Sequence, residues 1–313
     1  MPKNVAIIGA GVSGLTCGVA LAERGDRTAI FAAETGLGTT SAAAGAIWYP
    51  YDAAPADRVI AWALQTYKIL SELARDLASG VSMIELRMFS RQGEIPIPKW
   101  ASALGARRLK DEERFGAFTS GFALSVPLTD TTIYLDYLAR RFRAAGGEIQ
   151  NNVRFEKLED VDSAFNLVIN CAGLGARALV HDVDLEPHRG QVVIVPKIDN
   201  LLCAIVCDDA PLLYAIPRRN DCVFGGTNDP SENLAVDPKS TSRIVAQCSR
   251  LLDIDRPRLI AERVGLRPFR RSGVRLERDG LRDGRPTIHN YGHGGSGFTL
   301  SWGCAREAVD LAG

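Results

Sequence analysis

A chain of 313 residues, 46% hydrophobic and 24% charged, can bury a sizeable core in about two domains; its formal net charge of zero argues against a nucleic-acid or anionic-membrane surface. Seven cysteines, an odd number with no CxxC pair, argue against a disulfide framework and suit a reduced, cytoplasmic setting, and Cys203 and Cys207 stand too isolated for zinc, so no metal is expected. No apolar run reaches membrane-spanning length, so no membrane association is expected.

The first unit is the clearest. "VAII" (Val5 to Ile8) reads as a buried strand and "GAGVSG" (Gly9 to Gly14) as a tight turn. A helix follows to about Arg24 with Gly25 as its cap, and "RTAIFAAE" (Arg27 to Glu34) reads as a second strand. This is a βαβ unit carrying GxGxxG, in which glycines let the backbone turn, approach a pyrophosphate and pack helix on strand. The helix N-terminus then faces the phosphates. Glu34, about 20 residues past the last glycine, is suited to a ribose hydroxyl; the competing reading is an exposed loop carboxylate.

Further along, Ile60, Leu64, Tyr67, Leu70 and Ala74 recur with helical spacing. Residues 82 to 129 look strand-rich, with turns at Gly93 and Gly105. A helix with Leu135, Leu138 and Phe142 on one face ends at Gly146-Gly147, and "FNLVINCAG" (Phe165 to Gly173) is again a buried strand running into a glycine turn. "GQVVIVP", "LYAIP" and "CVFGG" read as sheet strands, and "STSRIVAQCSRLLDI" as a helix with Ile244, Cys248, Leu251 and Leu252 inward. The βαβ signals lie at the start, middle and end, with strand-rich stretches between. The expected fold is α/β: a Rossmann-like nucleotide domain in discontinuous segments (1–60, 130–190 and 262–313) plus a mixed-sheet substrate domain (61–129 and 191–261).

The stretch "HNYGHGGSGFTLSWGCA" (His289 to Ala305) sets five glycines against the start of a helix. Glycine this dense weakens regular structure, so it points to a backbone that must come close to something flat and large.

Taken together, "VAIIGAGVSGL", "TTSAAAGAIWYPY", "VINCAGLGAR", "RGQVV", "YAIP…FGG", "GLRPFR" and this last motif resemble the D-amino acid oxidase family, which includes D-aspartate oxidase. The matches follow the family's order over nearly the whole chain; Thr287 departs, standing where the family usually has an aliphatic residue. The resemblance implies FAD. It matches Gly9, Gly11 and Gly14, with Val12 and Ser13 between them, to the phosphate turn. It matches Thr39, Thr40, Ala44 and Gly45 to a segment touching the cofactor. Cys171, Ala172 and Gly173 match a turn beside the adenosine half, and Glu34 and Phe155 join this cofactor set. Gly294, Gly297, Phe298 and Thr299 match the loop against the flavin ring, where the following helix start can offer amides to a ring carbonyl.

The same resemblance implies a substrate site. Arg267 matches the arginine that grips the substrate carboxylate, Tyr214 a tyrosine that hydrogen-bonds it, and Gly295 a position whose carbonyl accepts from the substrate amine. A guanidinium can clamp a carboxylate through two parallel hydrogen bonds, and positioning is then much of the catalysis, with the hydride passing to the cofactor. Tyr49, Tyr51 and Ser296 are expected at the pocket; for Trp48, Tyr49 and Tyr51 a core role weighs equally. His289 and His293 read better as structural donors than as bases. The stretch "VCDDAPLLY" before Tyr214 has Ala210 where many relatives carry a second tyrosine. It carries Asp208 and Asp209 and no cation, and Ser296 replaces a bulky aromatic. The expected activity is oxidative deamination of neutral D-amino acids by dioxygen to 2-oxo acids, ammonia and hydrogen peroxide, in a monomer or homodimer. Alternatives are a D-aspartate or D-glutamate oxidase with Arg218 or Arg219 turned inward, a glycine- or sarcosine-type oxidase, and a non-catalytic flavin-binding protein.

Overall fold

A computed structural model describes residues 2–115 and 118–313. The βαβ unit forms as its sequence predicts: β1 (Asn4–Ile8), α1 (Val12–Arg24) and β2 (Arg27–Ala32), two residues shorter than expected. Gly25 ends α1 in the left-handed conformation, φ 101°, which glycine adopts without a Cβ clash, and its N–H closes onto the Ala22 carbonyl. Then come α2 (Ala56–Leu73), β3 (Val81–Ser90), α3 (Lys99–Ala103), β4 (Arg107–Arg108), β5 (Ser120–Thr129) and α4 (Thr131–Ala144). The middle of the chain gives β6 (Glu148–Asn151), β7 (Leu167–Asn170), α5 (Ala176–Leu179), β8 (Leu185–Pro196), β9 (Cys203–Cys207), β10 (Leu213–Pro217), β11 (Asp221–Gly225) and β12 (Asp229–Pro230). The last stretch gives α6 (Pro238–Leu252), β13 (Ala261–Arg270), β14 (Arg275–Gly280), β15 (Pro286–Tyr291) and α7 (Gly297–Ala312). Residues 82 to 129 thus hold two long strands, with the two-residue β4 and the short α3 between them; the sequence did not suggest α3.

Among the described residues two sheets form, one of six strands in the order β14-β15-β7-β1-β2-β6 and one of nine. The first is parallel except at its β14–β15 edge. Its central strands are mostly apolar because helices cover them: Val5, Ala6 and Ile7 are wholly buried, and α1 and α7 pack together on one face. The second sheet runs β12-β8-β11-β10-β9-β3-β5-β4, with β13 added on β8, and is antiparallel except where β3 meets β9. Helix α6 lies on it through Ile244, Val245 and Cys248, capped at its start by the Asp237 side chain.

The layout differs from the sequence partition at its seams. Strand β13 was expected in the nucleotide unit, yet it pairs with β8 along ten residues of the second sheet. Strand β8 itself crosses the expected boundary at residue 190. Helix α2, expected with the substrate unit, packs on β3 and β5 of that unit and also on α7: Gly303 N–H donates to Thr66 Oγ1 at 2.9 Å, and a Cβ at Gly303 would meet the Trp62 backbone. These contacts join the two expected units along a common seam. Its consequence is that β13 delivers its last residues to the loop before α7, where Phe269 bridges His293. Thr287, the departure from the family pattern, is buried and satisfied, donating from Oγ1 to the Val168 carbonyl at 3.0 Å. No helix among the described residues is long and apolar enough to cross a membrane.

Candidate active site

A cavity of about 770 Å³ runs between the two sheets. At one flank lies the start of α1. Gly9 has φ 110°, and a Cβ there would run into the Cys171 carbonyl, so only glycine lets the β1 and β7 exits pass side by side. Gly11 caps α1 without a side chain, the Val12 N–H is taken by Ser41 Oγ at 3.0 Å, and Gly11, Val12 and Ser13 face the cavity. The first turn of a helix offers amides with no intrahelical acceptor, and its dipole favours an anion there. Gly14 was expected to touch the cofactor; it does not line the cavity. A Cβ there would strike the Gly9 carbonyl, so its part is to let helix cross turn.

The remaining expected cofactor residues line the same space. Glu34 and Phe155 stand near the end of β2, where Arg154 lies 3.6 Å from the Glu34 carboxylate. Thr39, Thr40, Ala44 and Gly45 form one wall, and Cys171, Ala172 and Gly173 another. Gly294, Gly295, Gly297, Phe298 and Thr299 bring in the start of α7. Thr299 Oγ1 accepts from the Tyr49 N–H and donates to its carbonyl, both at 3.1 Å, which ties α7 to the 45–52 segment. Two helix N-termini, of 13 and 16 residues, therefore face one cavity, and an elongated diphosphate-linked cofactor fits that arrangement. Residues 9–13 would hold the diphosphate, and Gly294, Gly295 and Gly297 to Thr299 the ring system.

Strands of the second sheet close the far end. β13 carries Arg267, whose guanidinium lies flat on Gly190 of β8: a Cβ at Gly190 would come within 2.6 Å of Cζ. Arg267 Nη1 donates to the Thr227 carbonyl at 2.9 Å and to Asn228 Oδ1 at 3.2 Å, which fixes the plane of the fork. Tyr214 of β10 is buried with its hydroxyl beside that guanidinium, packed over Gly225 and Gly226, where any side chain would displace the ring. Burial raises its phenol pKa. Tyr51 lies over Gly295 and accepts from Asn228 Nδ2 at 3.0 Å. Tyr49 also lines the cavity, its pKa raised to about 12 by burial and then by the Asp208 charge.

One expectation, at Ser296, is corrected, and two open alternatives are decided. Trp48 does not reach the cavity; it is core, edge-on to Tyr67 and Trp100 with its N–H on the Ala63 carbonyl. Ser296 is not a pocket residue. It is wholly buried, its hydroxyl taking the Tyr51 N–H at 2.8 Å and donating to the Tyr51 carbonyl, so its small size opens no room for substrate. The inward cation is also missing: Arg218 pairs with Asp221 at 2.6 Å, and Arg219 donates to the Leu77 carbonyl. His293 touches the cavity, but its Nε2 is 3.0 Å from Asn290 Oδ1 and its Nδ1 3.5 Å from Ser13 Oγ, and burial lowers its pKa to about 4. His289 lies away from the cavity, likewise lowered to about 4 by burial and then by Arg275.

Sequence reasoning missed Gly190, Gly225, Gly226 and Asn228. The signal for the glycines was present in "RGQVV" and "FGG", where glycine inside a strand marks close approach of another group. Asn228 carried no signal, because its role exists only once β13 and the 45–52 segment meet.

A family model described as FAD dependent oxidoreductase matches residues 4–311. The chain is 40% identical to a D-amino-acid oxidase of Rubrobacter xylanophilus, over 98% of this chain and 95% of that protein. It is 40% identical to a D-amino-acid oxidase of Streptomyces coelicolor, over 99% and 96%. It is 32% identical to the D-aspartate oxidase of Homo sapiens, over 98% and 94%. In structure it is similar to a glycine oxidase from Geobacillus kaustophilus, with TM-score 0.84 and 20% identity over 99% of this chain and 94% of that one, a likeness of fold.

Proposed function

The chain belongs to the FAD dependent oxidoreductase family and is an FAD enzyme, and from that premise we propose that it deaminates D-amino acids with non-acidic side chains. The products are a 2-oxo acid, ammonia and hydrogen peroxide, with dioxygen as terminal oxidant. The observation that carries the reading is the Arg267–Tyr214 pair at one end of the cavity, facing Gly295 at the start of α7. When bound, the flavin supplies the acceptor for the Cα hydride. Arg267 and Tyr214 would hold the α-carboxylate and the Gly295 carbonyl would accept from the α-amine, which fixes Cα between these groups. The arginine fork is stiffened by Thr227 and Asn228, so little ordering is left for the moment of reaction. The neutral, hydrogen-bonded His293 supports catalysis by positioning rather than by a histidine base.

The choice of the D enantiomer is supported by the two relatives at 40% identity. Preference against acidic side chains is supported by the fixed partners of Arg218 and Arg219 and by Asp208 among the lining residues. Sequestering a second carboxylate there without a cation would cost several kcal/mol. A peroxide assay over paired D- and L-amino acids tests the reading. Turnover confined to D enantiomers, with D-alanine or D-valine above D-aspartate in kcat/KM, is expected. Higher kcat/KM for D-aspartate, or for glycine and sarcosine, would overturn it, and a yellow protein producing no peroxide with any of them would favour a non-catalytic role.

A further inference from the structure

We propose that Asp208 is a specificity residue through which this site selects D-amino acids whose side chain ends in a cation, such as an alkylammonium group; the proposal rests on the reading of Arg267 and Tyr214 given above. The two neighbouring carboxylates after β9 are used differently. Asp209 is consumed by the fold: its Oδ2 accepts from Ser90 Oγ at 2.9 Å and from the Arg91 N–H at 2.5 Å, and its carbonyl takes Arg91 Nη1 at 2.8 Å. Asp208 lines the cavity instead, and among the described residues no lysine or arginine forms an ion pair with it.

Asp208 shares its cavity with the carboxylate clamp: Arg267, Tyr214 and Tyr51 line the same space. Tyr51 and Tyr214 each feel both charges, Asp208 raising and Arg267 lowering their phenol pKa values. Around this end the wall is aliphatic: Leu86, Met88, Val206, Leu212 and Ile216 line it. A cavity whose walls hold a guanidinium, an aliphatic surface and a carboxylate with no cationic partner suits a methylene chain carrying a carboxylate at its head and an ammonium at its tail. A β- or γ-carboxylate in the same cavity would meet Asp208 and be repelled.

The carboxyl of Asp208 is pushed up to about 6 by burial, then by the charges of Asp209 and Asp52. The titratable groups facing it are Tyr49, Tyr51 and Asp52 from the 45–52 segment, Tyr214 from β10, and Cys207 and Asp209 on its own stretch, with Arg91 behind Asp209. The carboxylate is therefore present above about pH 6 and neutral below.

The test compares D-lysine with D-norleucine, which share the α-carbon and chain length and differ at the tail, as the ratio of their kcat/KM values on the FAD-loaded enzyme. For the unaltered protein the ratio is expected to rise roughly tenfold between pH 5 and pH 7.5, since α-group titration is common to both substrates. At pH 7.5 Asp208→Asn is expected to lower the ratio about tenfold and to abolish its pH dependence, and Asp208→Glu to restore it. D-norleucine turnover with a ratio flat in pH, or unmoved by Asp208→Asn, overturns the proposal alone. Turnover of neither substrate overturns the reading beneath it and the proposal together. Should Asp208→Asn fail to fold, the pH profile of the unaltered enzyme decides.

Discussion

At the residue scale, Arg267 shows how much of a functional group is made by its neighbours. A guanidinium can lie on Gly190 only because nothing projects from that strand position, and Thr227 and Asn228 hold its Nη1. Arg267→Lys keeps the charge but loses the fork. It is expected to lose about 2–5 kcal/mol of transition-state binding, read as kcat/KM, with the visible flavin spectrum intact. Normal turnover in this variant would place the carboxylate elsewhere. Asn228 is a positioning residue, joining Tyr51 Oη, Asp52 and Arg267 through one amide. Asn228→Leu removes all three bonds and is expected to raise KM more than it lowers kcat. Equal loss in both Asn228→Leu and Asn228→Gln would argue for a general structural role.

At the element scale, α7 does two jobs, presenting the loop before it to the cavity and holding α1, α2 and α4 together. Its grip on α2 depends on Gly303, with Trp62 backbone where a side chain would go, and its grip on α4 on the Trp302 N–H bonded to Tyr134 Oη at 2.7 Å. Gly303→Val overpacks this contact and should cost about 1–3 kcal/mol, seen as a lower thermal midpoint and weaker FAD retention. An unchanged midpoint would show that α2 yields freely. Elements of this kind also mark what could be read in advance. α1 and its flanking strands were legible because hydrophobic period, a glycine turn and the Gly25 cap agree within thirty residues. Residues that line the cavity were legible through motifs that bring their own backbone geometry. The seam was not, because pairing of β8 with β13 joins residues far apart in sequence and leaves no local mark. For the same reason Ser296 read as a pocket residue: its neighbours Gly295 and Gly297 do line the cavity, and only the Tyr51 backbone turns its hydroxyl away.

At the scale of the whole molecule, three buried or walled-in groups couple folding to pH. His289 and His293 have folded pKa values of about 4, below the ordinary histidine value, so on acidification the unfolded chain takes up protons that the folded one refuses. Stability should be full above pH 6.5 and fall as the pH drops toward 4, each imidazole contributing at most about 1.4 kcal/mol per pH unit. Asp208 has the opposite sign. Its folded pKa of about 6 exceeds the ordinary aspartate value, so protonation favours the folded chain as pH falls from 6 to 4 and offsets part of the loss, less than its shift suggests because it faces the cavity. Denaturant titrations at pH 7 and pH 5 should show a net loss that steepens in Asp208→Asn; equal free energies at both pH values would contradict it. The two helix starts that face the cavity, Gly11–Ser13 and Gly294–Thr299, stand almost a full chain length apart, and Lys3 Nζ reaches the Gly313 carbonyl at 2.6 Å. In the time order of folding this makes flavin capture a late event. Long-range pairing is slow, and no stretch beginning at β1 and stopping short of α7 owns a complete cradle. On refolding with FAD present, quenching of free-flavin fluorescence should lag behind recovery of far-ultraviolet circular dichroism, so that the capacity to make peroxide arrives only with the finished fold.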